Sequence, residues 1–369
     1  MADPRTDRLA RLLVQYSTRV QPGDRAFIVA EPLATPLIRA LFEHVIEAGG
    51  YPHLLIVDPS LEEIILKKGS EKQIDFAPTF LKLAYEEFEV RYAIHAKSNT
   101  RALTGVDKER FARRRRTMQP ILQTQMERGA KGDLRWLSTL FPTEAYAQDA
   151  EMSLTEYQDF VYQACHVDDP EVDPVAYWKG VKDELAEVAA ALSKGDRIEV
   201  RGPNCDLRLS IKGRTFVGCH GTHNMPDGEV FTGPVEDSIE GWVRFTYPVI
   251  WKGNMADGVE LTFKKGRVVE AKAEKNQEFI DRIIDTDSGS RYLGEFAFGT
   301  NFGIDRFTGN ILFDEKIGGS FHMALGAGYP ETGSKNQSAI HLDMVCDMRQ
   351  DAEALMDGEV FYKNGEFQF

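Results

Sequence analysis

The sequence predicts an α/β N-terminal domain with parallel βαβ units, followed by an α+β C-terminal domain rich in antiparallel strands. Three observations carry this expectation. Short apolar runs alternate with helical periodicity in the first half. The texture changes to alternating, glycine-punctuated segments after Gly195. No stretch reaches the roughly 20 apolar residues that a membrane helix requires.

The run DRAFIVA, residues 24–30, has the composition of a strand. TPLIRALFEHVIEAGG follows, with Leu37, Leu41, Val45 and Ala48 near helical spacing. Thr35 reads as its N-cap, Pro36 lies in the first turn, and Gly49-Gly50 stops it. PHLLIVD, residues 52–58, reads as a second, buried strand and EVRYAIHA, residues 89–96, as a third. The connection after the first strand, AEPLATP, has no glycine, which argues against a dinucleotide-binding turn. Helical patterns cover residues 108–128, 154–166 and 174–194, and Gly195 closes the last of them. Beyond it, RIEVRGPNCDLRLSIKGRTFVG alternates like antiparallel strands. GVELTFKKGRVVEAKAE reads as a hairpin turning near Gly266, and residues 276–287 as a helix. The expected domains are therefore 1–195 and 196–369.

Composition narrows the function classes. The 369 residues are 42% hydrophobic and 28% charged, as in globular proteins, and the length suggests two domains. A formal net charge of -14 argues against nucleic acid, which needs a basic face. The basic run RFARRRRTMQ follows Asp107 and Glu109 and reads as a solvated helix face. Four cysteines without a CxxC pair fit reduced thiols. The first twenty residues contain no apolar signal core, so a cytoplasmic location is expected.

Divalent metals are held by carboxylates and imidazoles. Four glycine-rich stretches offer them. THNMPDGEVFTGP contains His223, Asp227 and Glu229, and YLGEFAFGTN contains Glu295. LFDEKIGGSFHMALGAGYPETG contains Asp314, Glu315, His322 and Tyr329. NQSAIHLDMVCDM contains His341 and Asp343, which as i and i+2 residues share one face of a strand and can converge on one ion. Taken singly, Glu229 and Glu295 read more readily as turn residues and His322 as a core histidine. Asp347 shares the face of His341 and reads equally as a supporting partner or a surface charge. GAGYPETGSKN lacks the Gly-Lys-Ser/Thr order of a phosphate loop, and no GxSxG or HExxH motif occurs.

Together, NMPDGEVFTGP, LGEFAFGTN, ILFDEKIGGSFHMALGAGYPETG and NQSAIHLDMVCDMR resemble the thermophilic-type metallo-aminopeptidases, with fainter likeness upstream in RWLSTLFPTEAYAQDAEMS and EYQDFVYQA. The resemblance covers most of the chain. It implies a peptide hydrolase with two divalent metal ions per chain (zinc, cobalt or manganese) held by Glu229, Glu295, His322, His341 and Asp343, with Glu295 as the bridge. Tyr329 matches the family's catalytic tyrosine, and Glu315 is a further ligand or acid/base candidate. A metal-activated water would attack the peptide carbonyl, and Glu295 or Glu315 would carry the proton to the leaving amine. Residues 196–369 would be the catalytic metal-binding domain. Peptides with a free N-terminus, a homodimer enclosing the active sites, and no nucleic-acid or membrane partner are expected. Two alternatives stand beside this reading: a ring-cleaving dioxygenase with one ferrous ion on a similar scaffold, and a non-enzymatic metal-binding protein.

Overall fold

The structure, a computed structural model, describes residues 3–369. The chain divides into two compact units. One runs to Trp178 and takes in Gly221–Pro226; the other comprises Lys179–His220 and Asp227–Phe369. The division falls inside the helix Pro174–Leu192, whose second half contributes Val188, Ala189 and Leu192 to the core of the second unit.

The first unit is built on a parallel sheet in the order Tyr51–Ile56, Arg25–Ala30, Val90–His95, Arg135–Leu140, Asn224–Met225. The helix Thr35–Glu47 buries Leu37, Ile38, Leu41 and Val45, the stripe its spacing predicts. Its N-cap is Ala34, not Thr35. Thr35 is already helical, and its hydroxyl donates back to the Pro32 carbonyl at 2.6 Å. The strand Tyr51–Ile56 is not buried as expected. It is the sheet edge, with Tyr51 61%, Leu54 41% and Ile56 43% exposed. An apolar run does not distinguish a central strand from an edge strand.

The helix Lys108–Lys131 keeps its expected solvated face at the exposed Arg115 and Arg116, but its other arginines are engaged. Arg110 donates to the carbonyls of Leu66 and Gly69. Arg113 pairs with Asp75 at 2.6 Å, and the buried Arg114 pairs with Glu62 at 3.1 Å and donates to the Phe76 carbonyl. The run fastens the short helices Pro59–Lys68 and Glu71–Ile74.

In the second unit an antiparallel sheet of eight strands runs from Arg267–Lys272 at one edge to Glu366–Phe367 at the other. It contains the expected hairpin, Glu260–Lys264 with Arg267–Lys272. Gly266, at φ +76, sits where a Cβ would meet the Glu236 carbonyl oxygen at 1.7 Å. The helix Gln277–Ile284 buries Phe279, Ile280, Ile283 and Ile284. A second antiparallel sheet runs His341–Asp347, Ser320–Gly326, Leu293–Gly299, Glu229–Thr232, Val217–Cys219. Side chains alternate between its faces. One face presents Val230, Phe296, Phe298, Phe321, Met323, Leu342 and Met344 to the apolar core. The other presents Glu229, Glu295, His322, His341 and Asp343.

Among the described residues no helix is long and apolar enough to cross a membrane.

Candidate metal centre

Register brings these residues together. Glu295 lies opposite Ala324, which lies opposite Asp343, so the two carboxylates flank an alanine across three strands. Ala297 lies opposite His322, Gly299 opposite Glu229, and Gly326 opposite His341. Small residues thus alternate with donor residues on this face. They leave the space above the strands open to the longer side chains.

The distances are short. The Glu295 carboxylate faces two histidines, with Oε2 3.0 Å from His341 Nε2 and Oε1 3.8 Å from His322 Nε2. Glu229 Oε2 is 3.4 Å from His322 Nε2, and Asp343 Oδ1 is 3.3 Å from His341 Nε2. Donor atoms of Glu229, Glu295 and His322 lie within 4.8 Å of one another, as do those of Glu295, His341 and Asp343, and those of Glu315, His322 and Asp343. His341 Nδ1 donates to the Ala327 carbonyl at 2.8 Å, which orients the ring so that Nε2 faces the carboxylates.

The electrostatics follow from burial and proximity. Burial opposes charge on both imidazoles, but the facing carboxylates outweigh it. His322 is pushed up to about 9 by Glu295 and Glu229, and His341 to about 12 by Asp343 and Glu295. Burial lifts Glu229 above the usual carboxylate range. The same burial acts on Glu295, yet its hydrogen bonds to His322 and His341 hold it below that range. Burial also raises the Tyr329 phenol, and the surrounding carboxylates raise it further, so it stays a hydrogen-bond donor.

The face fits a divalent metal on two grounds. Glu229 Oε2 and Asp343 Oδ1 are buried without a hydrogen-bond partner, a costly state that a cation between the donors would relieve. Three carboxylates with two imidazole nitrogens also match the donor preferences of zinc, cobalt and manganese.

The structure separates the remaining candidates. Tyr329 stands at the rim, 37% exposed, its ring 5.3 Å from that of His341 and 5.2 Å from that of Phe231. The loop behind it is packed rather than open, for a Cβ on Gly328 would lie 2.0 Å from Ser334 Oγ. Glu315 caps the short helix Ile311–Asp314 at its C-terminus, beside the centre. Asp314 turns away: it is buried and accepts from the Thr308 amide at 2.7 Å and hydroxyl at 2.9 Å. Asp347 pairs with Arg349 at 2.5 Å and accepts from the Tyr247 hydroxyl at 3.4 Å. His223 belongs to the first unit, its ring 4.7 Å from that of Trp136.

Two residues escaped the sequence reading. Lys316 is fully buried, paired with Glu315 and 3.7 Å from Glu229 Oε1. Cys219 lies opposite Glu229 in the sheet, with its sulfur close to Asp227 and Glu229. Lysine is almost always exposed, and nothing in the local pattern DEKIGG marks this one as buried.

Comparison with known proteins gives one family. The model described as Thermophilic metalloprotease (M29) matches residues 2–367. Aminopeptidase 2 of Geobacillus stearothermophilus is 29% identical, covering 98% of this chain and 97% of its own length. Aminopeptidase T of Thermus thermophilus is 26% identical over 97% of this chain and 95% of its own. The solved structure of wild-type AmpT from Thermus thermophilus superposes with a TM-score of 0.87 at 25% identity, covering 99% of both chains. A 2,5-dihydroxypyridine dioxygenase from Pseudomonas putida superposes with a TM-score of 0.58 at 12% identity, over 99% of this chain and 96% of that one, a likeness of fold.

Proposed function

The chain belongs to the thermophilic metalloprotease (M29) family, and from that premise we propose that it is a metal-dependent aminopeptidase, removing the N-terminal residue of peptides at a dinuclear site in residues 196–369. The observation that carries the dinuclear reading is the position of Glu295, whose carboxylate faces His322 and Glu229 on one side and His341 and Asp343 on the other. These five residues would hold two zinc, cobalt or manganese ions, with Glu295 belonging to both groups of donors. Such ions, when bound, polarise a carbonyl and make water a nucleophile near neutral pH.

The remaining steps fall to the chain's own groups. The Tyr329 hydroxyl donates to the oxygen on which charge develops as the carbonyl is attacked. Glu315 carries the proton from the attacking water to the leaving amine, since Glu295 is engaged by both histidines. The acidic centre also favours the positive N-terminal ammonium of a peptide, which accounts for cleavage one residue at a time. The names of the relatives, aminopeptidase 2 and aminopeptidase T, support the reading.

The iron dioxygenase reading rests on fold likeness alone, and five converging donors exceed the three that a mononuclear ferrous site uses. We further place the protein in the cytoplasm as a homodimer. Its four free cysteines support the first, and the exposed apolar edge of its parallel sheet supports the second. A panel of aminoacyl p-nitroanilides tests the activity. Chromophore release that is lost on chelation and restored by zinc, cobalt or manganese is expected. No release from any member would overturn the reading.

A further inference from the structure

Lys316 has no place in the chemistry above, yet it is the hardest residue of the centre to explain as packing. Its ammonium is fully buried, and burying such a charge costs several kcal/mol unless it is well paired. Its partners are Glu315, with which it forms a close ion pair, and Glu229 Oε1 at 3.7 Å. Asp227 also contributes to the field around it.

The backbone fixes this position. The Lys316 amide donates to Phe313, and its carbonyl accepts from the Asn301 amide at 3.1 Å. The Asn301 side chain in turn donates to the Asp227 carbonyl at 2.8 Å. Gly228, at φ +119, lets this strand start approach so closely, since a Cβ there would lie 2.9 Å from that of Asn301. The backbone of Lys316 is therefore fixed beside the strand start at Glu229 by two chain segments.

The oxygens of Glu229 are consequently divided. Oε1 faces Lys316, whereas Oε2 faces His322 and has no hydrogen bond. Glu315 is in a similar contest. One of its oxygens lies within 4.8 Å of donor atoms of His322 and Asp343, so it could join the ligand set if nothing else held it.

We propose that Lys316 is a positioning residue of the metal centre: its ammonium keeps Glu315 off the ions and leaves one oxygen of Glu229 to ligate. Held through Oε1, Glu315 keeps its other oxygen to carry a proton. The charges agree with this division. Asp227, Glu229, Glu295, Glu315 and Asp343 are five carboxylates, and two divalent ions with one lysine supply five positive charges. The inference rests on the dinuclear reading above.

The test compares zinc binding and turnover in the wild type, Lys316→Met, Glu315→Gln and the double variant. Lys316→Met removes a cation close to the ions and releases Glu315 toward them. It should bind zinc at least about tenfold more tightly while turnover falls. Glu315→Gln should keep two zinc ions per chain while losing turnover. The double variant restores the balance of charge, so its zinc affinity should return to within about threefold of wild type. A lysine that only packs would instead make Lys316→Met bind zinc more weakly, and the double variant would match the single one; either result overturns the proposal. If wild type binds no zinc, the dinuclear reading fails on its own. The pairing is then read from thermal unfolding of the metal-free proteins, where Lys316→Met should be the least stable and the double variant closer to wild type. A double variant no more stable than Lys316→Met overturns the pairing, and this comparison also decides the matter if Lys316→Met does not fold well enough to titrate.

Discussion

The molecule contains two five-stranded sheets that break the same rule in opposite directions. The parallel sheet of the first unit turns apolar residues outward along its edge strand, at Tyr51, Leu54 and Ile56. The antiparallel sheet of the second unit turns ionisable residues inward, at Glu229, Glu295 and His322, with Lys316 beside them. The two departures differ in cost. An exposed leucine forgoes burial and is common on protein surfaces, whereas a buried carboxylate or ammonium persists only when paired or bound to a metal. The inward departure is therefore the stronger evidence of function.

That contrast can be broken at four points. The largest effect should follow from His341→Ala or Asp343→Ala, which remove donors from the inward sheet. Each should lower peptidase activity by orders of magnitude together with metal content; full activity with either at saturating metal would remove these residues from the centre. Tyr329→Phe should retain metal and lose turnover by about 10²–10³, because only one hydroxyl disappears. Unchanged turnover would make Tyr329 a packing residue. Phe298→Ala probes the apolar underside of the same sheet, where the ring meets those of Tyr362 at 4.8 Å and Phe296 at 5.2 Å. It should cost about 3–5 kcal/mol of stability in denaturant unfolding. Leu54→Gln on the outward edge should change stability by no more than about 0.5 kcal/mol and leave metal content alone. A large loss there would mean that the two sheets are not so different.

The sequence made much of this legible because the signals were periodic. In AIHLDMVCD, His341 and Asp343 alternate with apolar residues, and the structure buries Ile340, Leu342, Met344 and Cys346 in the core on the opposite face. The helix Thr35–Glu47 buries the stripe that its spacing predicts. What depends on lateral position was not legible. PHLLIVD reads the same whether it is central or at the edge, and here it is at the edge. The arginine run is solvated only at Arg115 and Arg116, and sequence does not reveal that the segments before it fold back as acceptors for Arg110 and Arg114. The centre shows the same division. Its five candidate donors were readable by type and motif, and His223, in the same stretch as Glu229, lies in the other unit. Lys316 was invisible because its burial depends on Asn301 and Gly228, far from it or unremarkable in sequence.

The central claim is the proposal that the donors of the inward sheet would take up two ions per chain. Stripping the protein with a chelator, adding zinc stepwise, and following hydrolysis of an aminoacyl p-nitroanilide tests it most directly. The account predicts that activity reaches its maximum only as the second equivalent per chain binds. A maximum at one equivalent, with no further change at two, would contradict it.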